Sequence, residues 1–585
     1  MRVTTQVKSI DFLLDGEDFF ARLHENILRS ELESKDNFEA DDDADSISIK
    51  LAYWKADPHL TLPKVTVQHN GVTVMRTSRR LIDALQAACY EGVNIYVILW
   101  NAWKTECWFP ARRFSQQVAT IRASRRTERE GVFELKRHNY RGYILHPATS
   151  LHLKIAVFER ANGPQVMLGG LNLGECYKSN KIHDRTNNWH DAAIEFKGKA
   201  AEVIDNFCDG LRANNLPAQR GDDETDMPAA RQRIDVKVLT TDMRWRRAER
   251  HIRTEVVAAI NQAKRYVYLE NQALTDPAII DALIAATARG VEVICVVPHP
   301  QQTMLGDYSG YAYVMGFAFK AFALAGMKSF RYPGRIRGEW IIRANELNSA
   351  ELLYQGYFTS DRSVDITTER FINGDQGTDT RAGNNRDAVT RTATALANGN
   401  DSLYHNKTHP LLPFRPASQY MNRFIKWRGT GTSGNGSVYL SKITNIDSTS
   451  ASFYSPLLPD RNAESPYVHS KIMLIDDKVA FIGTSNWTYR SMQFDAEMSL
   501  MINTPSQVKS IRKKLFTHWG MGQVNFDADV TAWRSKAKTN LRNIERRLGS
   551  INRTRVHIVP LTLADFQVSR LSMAAWGSWA VGNQI

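Results

Sequence analysis

The chain contains few cysteines and no long apolar run. Its 585 residues include five widely scattered cysteines: Cys89, Cys107, Cys176, Cys208 and Cys295. This odd and scattered set excludes a disulfide framework and a cysteine zinc pattern. No stretch of about 18 uncharged apolar residues occurs, so no transmembrane helix is predicted. The nearest stretch, Tyr311 to Met327, contains Lys320 and is predicted to be a buried helix.

The first residues, Met1 to Lys8, lack the apolar centre of a signal peptide. We therefore expect synthesis in the cytoplasm. Export by a route that uses no cleaved signal stays open, and a bacterial toxin delivered into rival cells is one context that fits such a route.

Acidic residues are too few to balance the basic ones. The chain has 75 Lys and Arg against 62 Asp and Glu, which gives a formal net charge of +13. A basic surplus favours anionic partners, such as phospholipid headgroups, a membrane surface or nucleic acid. Charge alone does not choose among these partners.

One pattern occurs twice, about 300 residues apart. Each copy has His-x-Lys, a near-continuous apolar run, an acid, a second apolar run and a Gly-x-x-Asn turn. The polar positions are His152, Lys154, Glu159 and Asn172 in the first copy and His469, Lys471, Asp476 and Asn486 in the second. The apolar runs, Ile155 to Phe158 and Ile472 to Ile475, predict strands buried on both faces.

The residue types in the repeat suit chemistry on a phosphate. Alternate residues of a strand point to the same side, so His and Lys of each copy are expected on one face. Two facing copies would supply one imidazole that attacks phosphorus and another that protonates the leaving oxygen. The lysines and amides would hold the non-bridging oxygens. This scheme requires no metal or cofactor, and none is predicted.

An acid precedes a strand-like segment after each motif. Asp191 precedes Ala192 to Phe196, and Asp495-Ala-Glu497 precedes Met498 to Ile502. When the two strands are aligned, Asp191 matches Glu497. Each histidine requires a carboxylate to orient its ring and stabilise its charged form, and these acids are the candidates.

The paired motifs, the Gly-x-x-Asn turns and the acid-strand segments resemble the phospholipase D superfamily. Two further segments, Tyr268 to Gln272 and Gly290 to Pro298, resemble the second half of phospholipid-cleaving members. The resemblance covers roughly residues 45–215 and 235–520. Glu159 departs from it, because Asp is usual there. In the family this acid is mainly structural, so the resemblance implies structural roles for Glu159 and Asp476.

The resemblance implies an α/β fold with two phospholipase D-like lobes. Each lobe would be a mixed sheet flanked by helices, and a pseudo-twofold axis would relate the two. Strand and helix patterns alternate in both halves, which agrees with this class. The expected divisions are an N-terminal lobe at 1–213, a linker at 214–233, a C-terminal lobe at 234–525 with an insertion at about 300–465, and an extension at 526–585.

The function expected from the resemblance is hydrolysis of glycerophospholipids to phosphatidic acid through a phosphohistidine, with transfer to an alcohol as a second outcome. His152 is taken as the nucleophile and His469 as the acid and base, although the reverse assignment stays open. The resemblance pairs each acid with the histidine of the opposite lobe. Asp191 then serves His469, and Glu497 serves His152.

The remaining expected site residues bind the phosphate. They are the two lysines, Lys154 and Lys471, together with Asn172, Ser485 and Asn486. The expected partner is a phospholipid membrane surface, and no oligomeric state is predicted. A nuclease that uses the same residues, and a lipid-binding protein with a degenerate site, are the alternatives. The basic charge favours the first, and Glu159 is the only support for the second.

Overall fold

The computed structural model describes residues 1–39, 47–101, 108–123, 130–138, 150–183, 189–213, 233–242, 249–274, 276–298, 338–344, 423–429, 451–457, 466–493, 495–545 and 557–560. Three expectations fall outside these ranges. They are the linker apart from Arg233, most of the insertion, including the helix expected at Tyr311 to Met327, and the tail after Pro560.

Within the described residues, the strands in chain order are β1 (Arg2–Val7), β2 (Ser9–Leu14), β3 (Ser48–Tyr53), β4 (Thr61–Leu62), β5 (Val65–His69), β6 (Val72–Arg76), β7 (Arg79–Arg80), β8 (Asn94–Trp100), β9 (Phe133–His138), β10 (Lys154–Glu159), β11 (Gln165–Gly169), β12 (Trp189–His190), β13 (Ala192–Lys197), β14 (Ile234–Asp242), β15 (Glu249–Arg250), β16 (Tyr266–Glu270), β17 (Glu292–Val296), β18 (Gly338–Ala344), β19 (Arg423–Gly429), β20 (Ala451–Leu457), β21 (Tyr467–Val468), β22 (Ile472–Ile475), β23 (Val479–Gly483), β24 (Glu497–Ile502) and β25 (His557–Pro560).

The described α-helices are α1 (Asp15–Glu39), α2 (Leu81–Tyr90), α3 (Trp108–Ala123), α4 (Lys199–Ala213), α5 (His251–Gln262), α6 (Pro277–Ala288), α7 (Tyr489–Gln493), α8 (Pro505–His518) and α9 (Ala532–Glu545). Local sequence accounts for several of their boundaries. For example, α6 begins where the Asp276 side chain accepts a hydrogen bond from the Ile279 amide, with Pro277 in the first turn. None of the helices in the described ranges has both the length and the apolar character that crossing a membrane requires.

The two large mixed sheets have the same order of parallel and antiparallel strand pairings. The first has the order β2-β13-β11-β10-β3-β8-β9, and the second contains β14-β24-β23-β22-β16-β17-β20. In both series the first four pairings are antiparallel and the last two are parallel. The α/β class with mixed sheets and flanking helices is therefore confirmed. The pseudo-twofold axis stays a prediction.

The two sheets pack around a shared apolar core. In β10, Ile155 and Val157 belong to this core, together with Leu474 of β22 and residues of α4 and α8. Ala156 and Phe158 lie on the other face of β10, in a second core with α1, α2 and α3. The apolar runs after both His-x-Lys sequences are thus buried on both faces, as their composition predicted.

The strands predicted at the apolar runs Ile155 to Phe158, Ile472 to Ile475, Ala192 to Phe196 and Met498 to Ile502 are present, with ends shifted by at most one residue. One strand crosses the expected division of the chain. β1 pairs with β14 in the second sheet, whereas β2, only two residues further on, pairs with β13 in the first. β1 thus belongs to a sheet whose other described strands all follow residue 233, a long-range pairing that no local pattern predicts. The expected division into lobes at 1–213 and 234–525 stays a prediction.

Candidate active site

The two motifs meet where the sheets face each other. His152 follows a bridge between Leu151 and Ala496, and its amide donates to the Ala496 carbonyl (3.0 Å). In the matching place, the His469 amide donates to the His190 carbonyl (2.8 Å). Each histidine is therefore fixed to the segment that precedes the acid of the other half.

Each imidazole pairs with a carboxylate from the opposite half. His152 Nδ1 lies 2.8 Å from Glu497 Oε1, and His469 Nδ1 lies 2.6 Å from Asp191 Oδ2. All four side chains are buried. When Nδ1–H is donated to the acid, the other ring nitrogen, Nε2, keeps its lone pair. This exchange of partners between halves is the arrangement that the resemblance implied.

Two lysines complete this group. Lys154 Nζ donates to the His152 carbonyl (3.0 Å), and Lys471 Nζ lies 3.3 Å from His469 Nε2. Burial, followed by the charges of both ammonium groups, lowers the pKa of each imidazole well below its usual value. Because both lysines act on both rings, the two motifs form one electrostatic site. Burial also lowers the pKa of Lys471 to about 8.

Burial shifts the pKa values of the carboxyl groups in the opposite direction. It raises the pKa of Asp191 to about 7, although the charge of Lys471 opposes the shift. It raises the pKa of Glu497 well above its usual value, against the charge of Lys154. A buried carboxyl and a buried imidazole both favour their neutral forms. An anionic substrate would oppose the two ammonium charges, and would thereby favour a protonated imidazole.

Close backbone approach explains the glycines that open the Gly-x-x-Asn turns. A Cβ at Gly169 would lie 2.4 Å from the Ala192 carbonyl oxygen, and one at Gly483 would lie 2.3 Å from the Met498 carbonyl oxygen. Any side chain there would push away the strand that follows the acid. The glycines therefore allow Asp191 and Glu497 to approach the histidines.

The expected phosphate-binding amides are fully buried. Asn172 Nδ2 donates to the Tyr177 hydroxyl (2.8 Å), and its Oδ1 has no hydrogen-bond partner among the described residues. In the same part of the chain, neither amide atom of Asn486 has a hydrogen-bond partner, and Ser485 Oγ lies 3.3 Å from Ser499 Oγ. Buried polar atoms without partners are costly, so a bound ligand that contacts them would recover that cost.

Sequence reasoning missed several residues that hold this group. The Thr484 hydroxyl donates to Glu497 Oε2 (2.5 Å), and the Ser150 amide donates to Asp495 (2.7 Å), the acid already named beside Glu497. Thr484 and Asp495 lie within segments already identified by their motifs. Aromatic rings enclose the histidines without any local signal: Trp54 is 5.6 Å from His152, and Tyr177, Trp189 and Tyr467 are 5.3, 5.0 and 6.4 Å from His469.

The motif acids, Asp476 and Glu159, lie at the far ends of their strands. Asp476 accepts hydrogen bonds from the backbone amides of Lys264, Arg265 and Tyr266 (2.7, 2.8 and 2.9 Å). Glu159 accepts one from the Ser48 hydroxyl (2.7 Å). In the described part of the chain, the acid partners of the motif histidines are Glu497 and Asp191, and neither Asp476 nor Glu159 contacts these rings by an ion pair or hydrogen bond.

Residues 439–519, which include the second motif, match the family model described as "Cardiolipin synthase, PLD-like domain". This match confirms the resemblance to the phospholipase D superfamily. No curated protein matches the chain significantly.

Two solved structures show weak overall similarity. Phosphatidylserine synthase of Haemophilus influenzae Rd KW20 is 12% identical, with 93% of this chain and 96% of that chain covered and a TM-score of 0.44. Polyphosphate kinase of Porphyromonas gingivalis is 11% identical, with 87% of this chain and 47% of that chain covered and a TM-score of 0.38.

Proposed function

We propose that this protein is a phosphodiesterase of the phospholipase D type that acts on glycerophospholipids. The observation that supports this most is the pair of buried histidine–carboxylate contacts, each formed between the two halves, beside two lysines. Neither half has a complete set of partners by itself. The description of the matching family model favours a phospholipid over other phosphodiesters.

In the proposed reaction, His152 Nε2 attacks phosphorus, and the headgroup oxygen leaves with a proton from His469. His469 then takes a proton from water, and the resulting hydroxide displaces His152 from phosphorus to give phosphatidic acid. The negative phosphodiester raises the pKa of His469 against the two lysines, so the ring is protonated when the headgroup leaves. Lys154, Lys471 and the two asparagines stabilise the non-bridging oxygens.

The same intermediate can be opened by an alcohol. A phosphatidyl group on His152 would then pass to a primary alcohol or to the glycerol headgroup of phosphatidylglycerol, which is the type of transfer that a cardiolipin synthase performs. Hydrolysis and transfer differ only in which oxygen reaches phosphorus. The structure supports the shared first step of both reactions.

The decisive experiment offers both substrate classes to the purified protein. Vesicles of phosphatidylcholine, phosphatidylethanolamine and phosphatidylglycerol, with and without a primary alcohol, are assayed beside plasmid DNA, with His469→Asn as the inactive control. We expect phosphatidic acid without the alcohol and the phosphatidyl alcohol with it. DNA cleavage with neither lipid product would transfer the function to the nuclease alternative.

A degenerate lipid-binding protein predicts vesicle binding without turnover. The support for this alternative was Glu159, and that carboxylate bonds Ser48 at the far end of its strand. A role as a toxin stays a prediction. It is tested by directing the wild type and His469→Asn to each side of a bacterial membrane and comparing growth.

A further inference from the structure

Four residues from distant parts of the chain converge behind the Asp191–His469 pair. Asp15 is the first residue of α1, His183 follows the first Gly-x-x-Asn turn, His190 ends β12 and His518 ends α8. One ligand-type atom from each lies within 4.8 Å of the others. Asp15 and His190 are completely buried, and His183 is 1% exposed.

Three of these atoms form a nearly equilateral triangle. His183 Nε2 and His518 Nε2 are 3.2 Å apart, and each lies 3.4 Å from Asp15 Oδ2. Ligands about 2.0–2.1 Å from a tetrahedral zinc ion lie about 3.3 Å from one another. The triangle therefore has the size of one face of a zinc coordination tetrahedron.

The carboxylate atom in this triangle forms no hydrogen bond with any described residue. Asp15 Oδ2 is buried, whereas Oδ1 accepts from His190 Nδ1 (2.9 Å) and from the Asp191 amide (3.2 Å). A buried charged oxygen that accepts no hydrogen bond is costly. The two nearby imidazoles do not satisfy it with hydrogen-bond geometry, but a cation between the three atoms would.

Backbone conformation at two of the residues is unusual. Asp15 and His183 have φ values of 60° and 54°, in the left-handed region that non-glycine residues seldom adopt. The chain at Asp15 is held by close packing, because a Cβ on the next residue, Gly16, would lie 1.9 Å from the Tyr177 carbonyl oxygen. Strain of this kind persists where side chains must be directed to one point.

The charge of the group also favours a cation. Glu270 Oε2 lies 3.0 Å from His190 Nε2, so His190 stands between two buried carboxylates. Within the described ranges, the ion pairs of Asp15 and Glu270 are with histidines only. When His190 is protonated and His183 and His518 are neutral, as metal ligands must be, one of the two carboxylate charges is left for a cation.

We propose that Asp15, His183 and His518 bind one divalent transition-metal ion, for which zinc is the representative. Two imidazole nitrogens and one carboxylate oxygen are donors that suit zinc better than magnesium or calcium. His190 would lie outside the ion and orient Asp15 through Oδ1, as histidines and carboxylates around metal ligands commonly do.

The ion would position the reacting pair rather than take part in the reaction. Asp15 Oδ1 accepts from the Asp191 amide, and the His190 carbonyl accepts from the His469 amide. Fixing Asp15 therefore fixes both members of the Asp191–His469 contact from behind. It also joins α1 to α8, which come from opposite ends of the chain.

The test measures metal directly on the full chain, purified without a metal-binding tag. Chelator-treated protein is given one equivalent of zinc, passed through a desalting column and analysed for metal by mass spectrometry. We expect about one retained equivalent in the wild type, together with a higher melting temperature than the metal-free protein. Asp15→Asn and His518→Gln should each retain at least about tenfold less zinc than the wild type.

His69→Gln is the matched control. His69 also pairs with a carboxylate, that of Asp36 at 2.6 Å, but it lies outside the candidate metal-binding group. This variant should retain zinc as the wild type does. Equal loss from His69→Gln and His518→Gln would overturn the assignment.

Cobalt decides the question if a ligand variant does not fold. Wild-type protein with cobalt(II) should show the visible bands of a four- or five-coordinate site and no thiolate charge-transfer band, because no ligand is a cysteine. Failure of the wild type to retain zinc or cobalt, or a clear thiolate band, would overturn the proposal. Phospholipid turnover is measured separately, so its absence would not affect this outcome.

Discussion

The two halves use one strand succession but hold their motif acids in different ways. At the end of β22, the carboxylate of Asp476 accepts from three consecutive backbone amides, Lys264 to Tyr266, which fastens the start of β16. At the end of β10, Glu159 bonds the Ser48 side chain and lies 3.5 Å from Lys50 Nζ. A backbone clamp in one half corresponds to a side-chain contact in the other.

This difference shows why the first motif tolerates a glutamate. The backbone of Asp476 has a left-handed conformation (φ 54°), which aspartate tolerates, and its short side chain reaches the amides directly. The longer Glu159 reaches sideways instead, and its side chain is 42% exposed. Lys50 keeps two further carboxylate partners, Asp205 at 2.6 Å and Asp209 at 2.8 Å. Either an aspartate or a glutamate can therefore form the contacts needed at this end of the strand.

The largest expected effect tests whether the halves are equal at the site. His152→Asn and His469→Asn should each lower turnover of phospholipid by about 10³-fold or more, because nucleophile and acid act as a unit. The measurement is kcat on vesicles, with circular dichroism to verify folding. Half the wild-type rate in either variant would show two independent sites.

The next comparison concerns the crossed acids. Asp191→Asn and Glu497→Gln should each lower kcat by about 10²-fold or more, because a neutral amide does not stabilise the charged ring and its NH2 group can donate to Nδ1, which favours the wrong tautomer. In the double variant, Asp191→Asn with Glu497→Gln, the two losses of kcat should not multiply if the two pairs act in the same steps. Full multiplication of the single effects would indicate separate roles.

The pH profile tests the charge of Lys471 in the second half. Lys471 has a pKa lowered to about 8 by burial, so its charge is present below that pH and is lost as pH rises through it. We expect kcat/KM to fall above about pH 8 for this reason. In Lys471→Arg the fall should move to higher pH, since guanidinium keeps its charge. An unchanged alkaline limb in the variant would assign it to another group.

The smallest activity effect, and the clearest difference between halves, is expected at the motif acids. Asp476→Ala should lower the free energy of unfolding by about 1–3 kcal/mol, because buried amides lose their acceptor. Glu159→Ala should cost about 1 kcal/mol or less, since its carboxylate is partly exposed.

Glu159→Asp should keep turnover within a few-fold of the wild type. Denaturant unfolding and vesicle assays measure these changes; a large loss of turnover in Glu159→Asp at unchanged stability would make Glu159 catalytic.

Periodicity and short motifs predicted much of this molecule. The continuous apolar runs at Ile155 to Phe158 and Ile472 to Ile475 predicted buried strands, and every residue of both runs is buried. Direct alignment of the two copies also matched Asp191 with Glu497. The crossing of partners between halves came from the resemblance alone, since spacing along the chain does not determine which half supplies the carboxylate.

What the sequence did not predict depends on contacts between distant segments. Trp54 stands beside His152 because β3 pairs with β10, and Tyr177 stands beside His469 because the halves face each other. The convergence of Asp15, His183 and His518 had no local signal either. His183 belongs to none of the sequence motifs, yet the structure buries it.

The segment that contains β1 and β2 has a consequence for how the chain folds. β1 requires β14, where Arg2 pairs with Leu239, and β2 requires β13, where Leu14 pairs with Ala192. During synthesis, this segment therefore stays unpaired until its partner strands emerge from the ribosome about two hundred residues later. Its unpaired backbone groups are open to wrong partners in that interval. Joining the two sheets is thus a late, long-range step, which favours slow folding and a need for protection of the nascent chain.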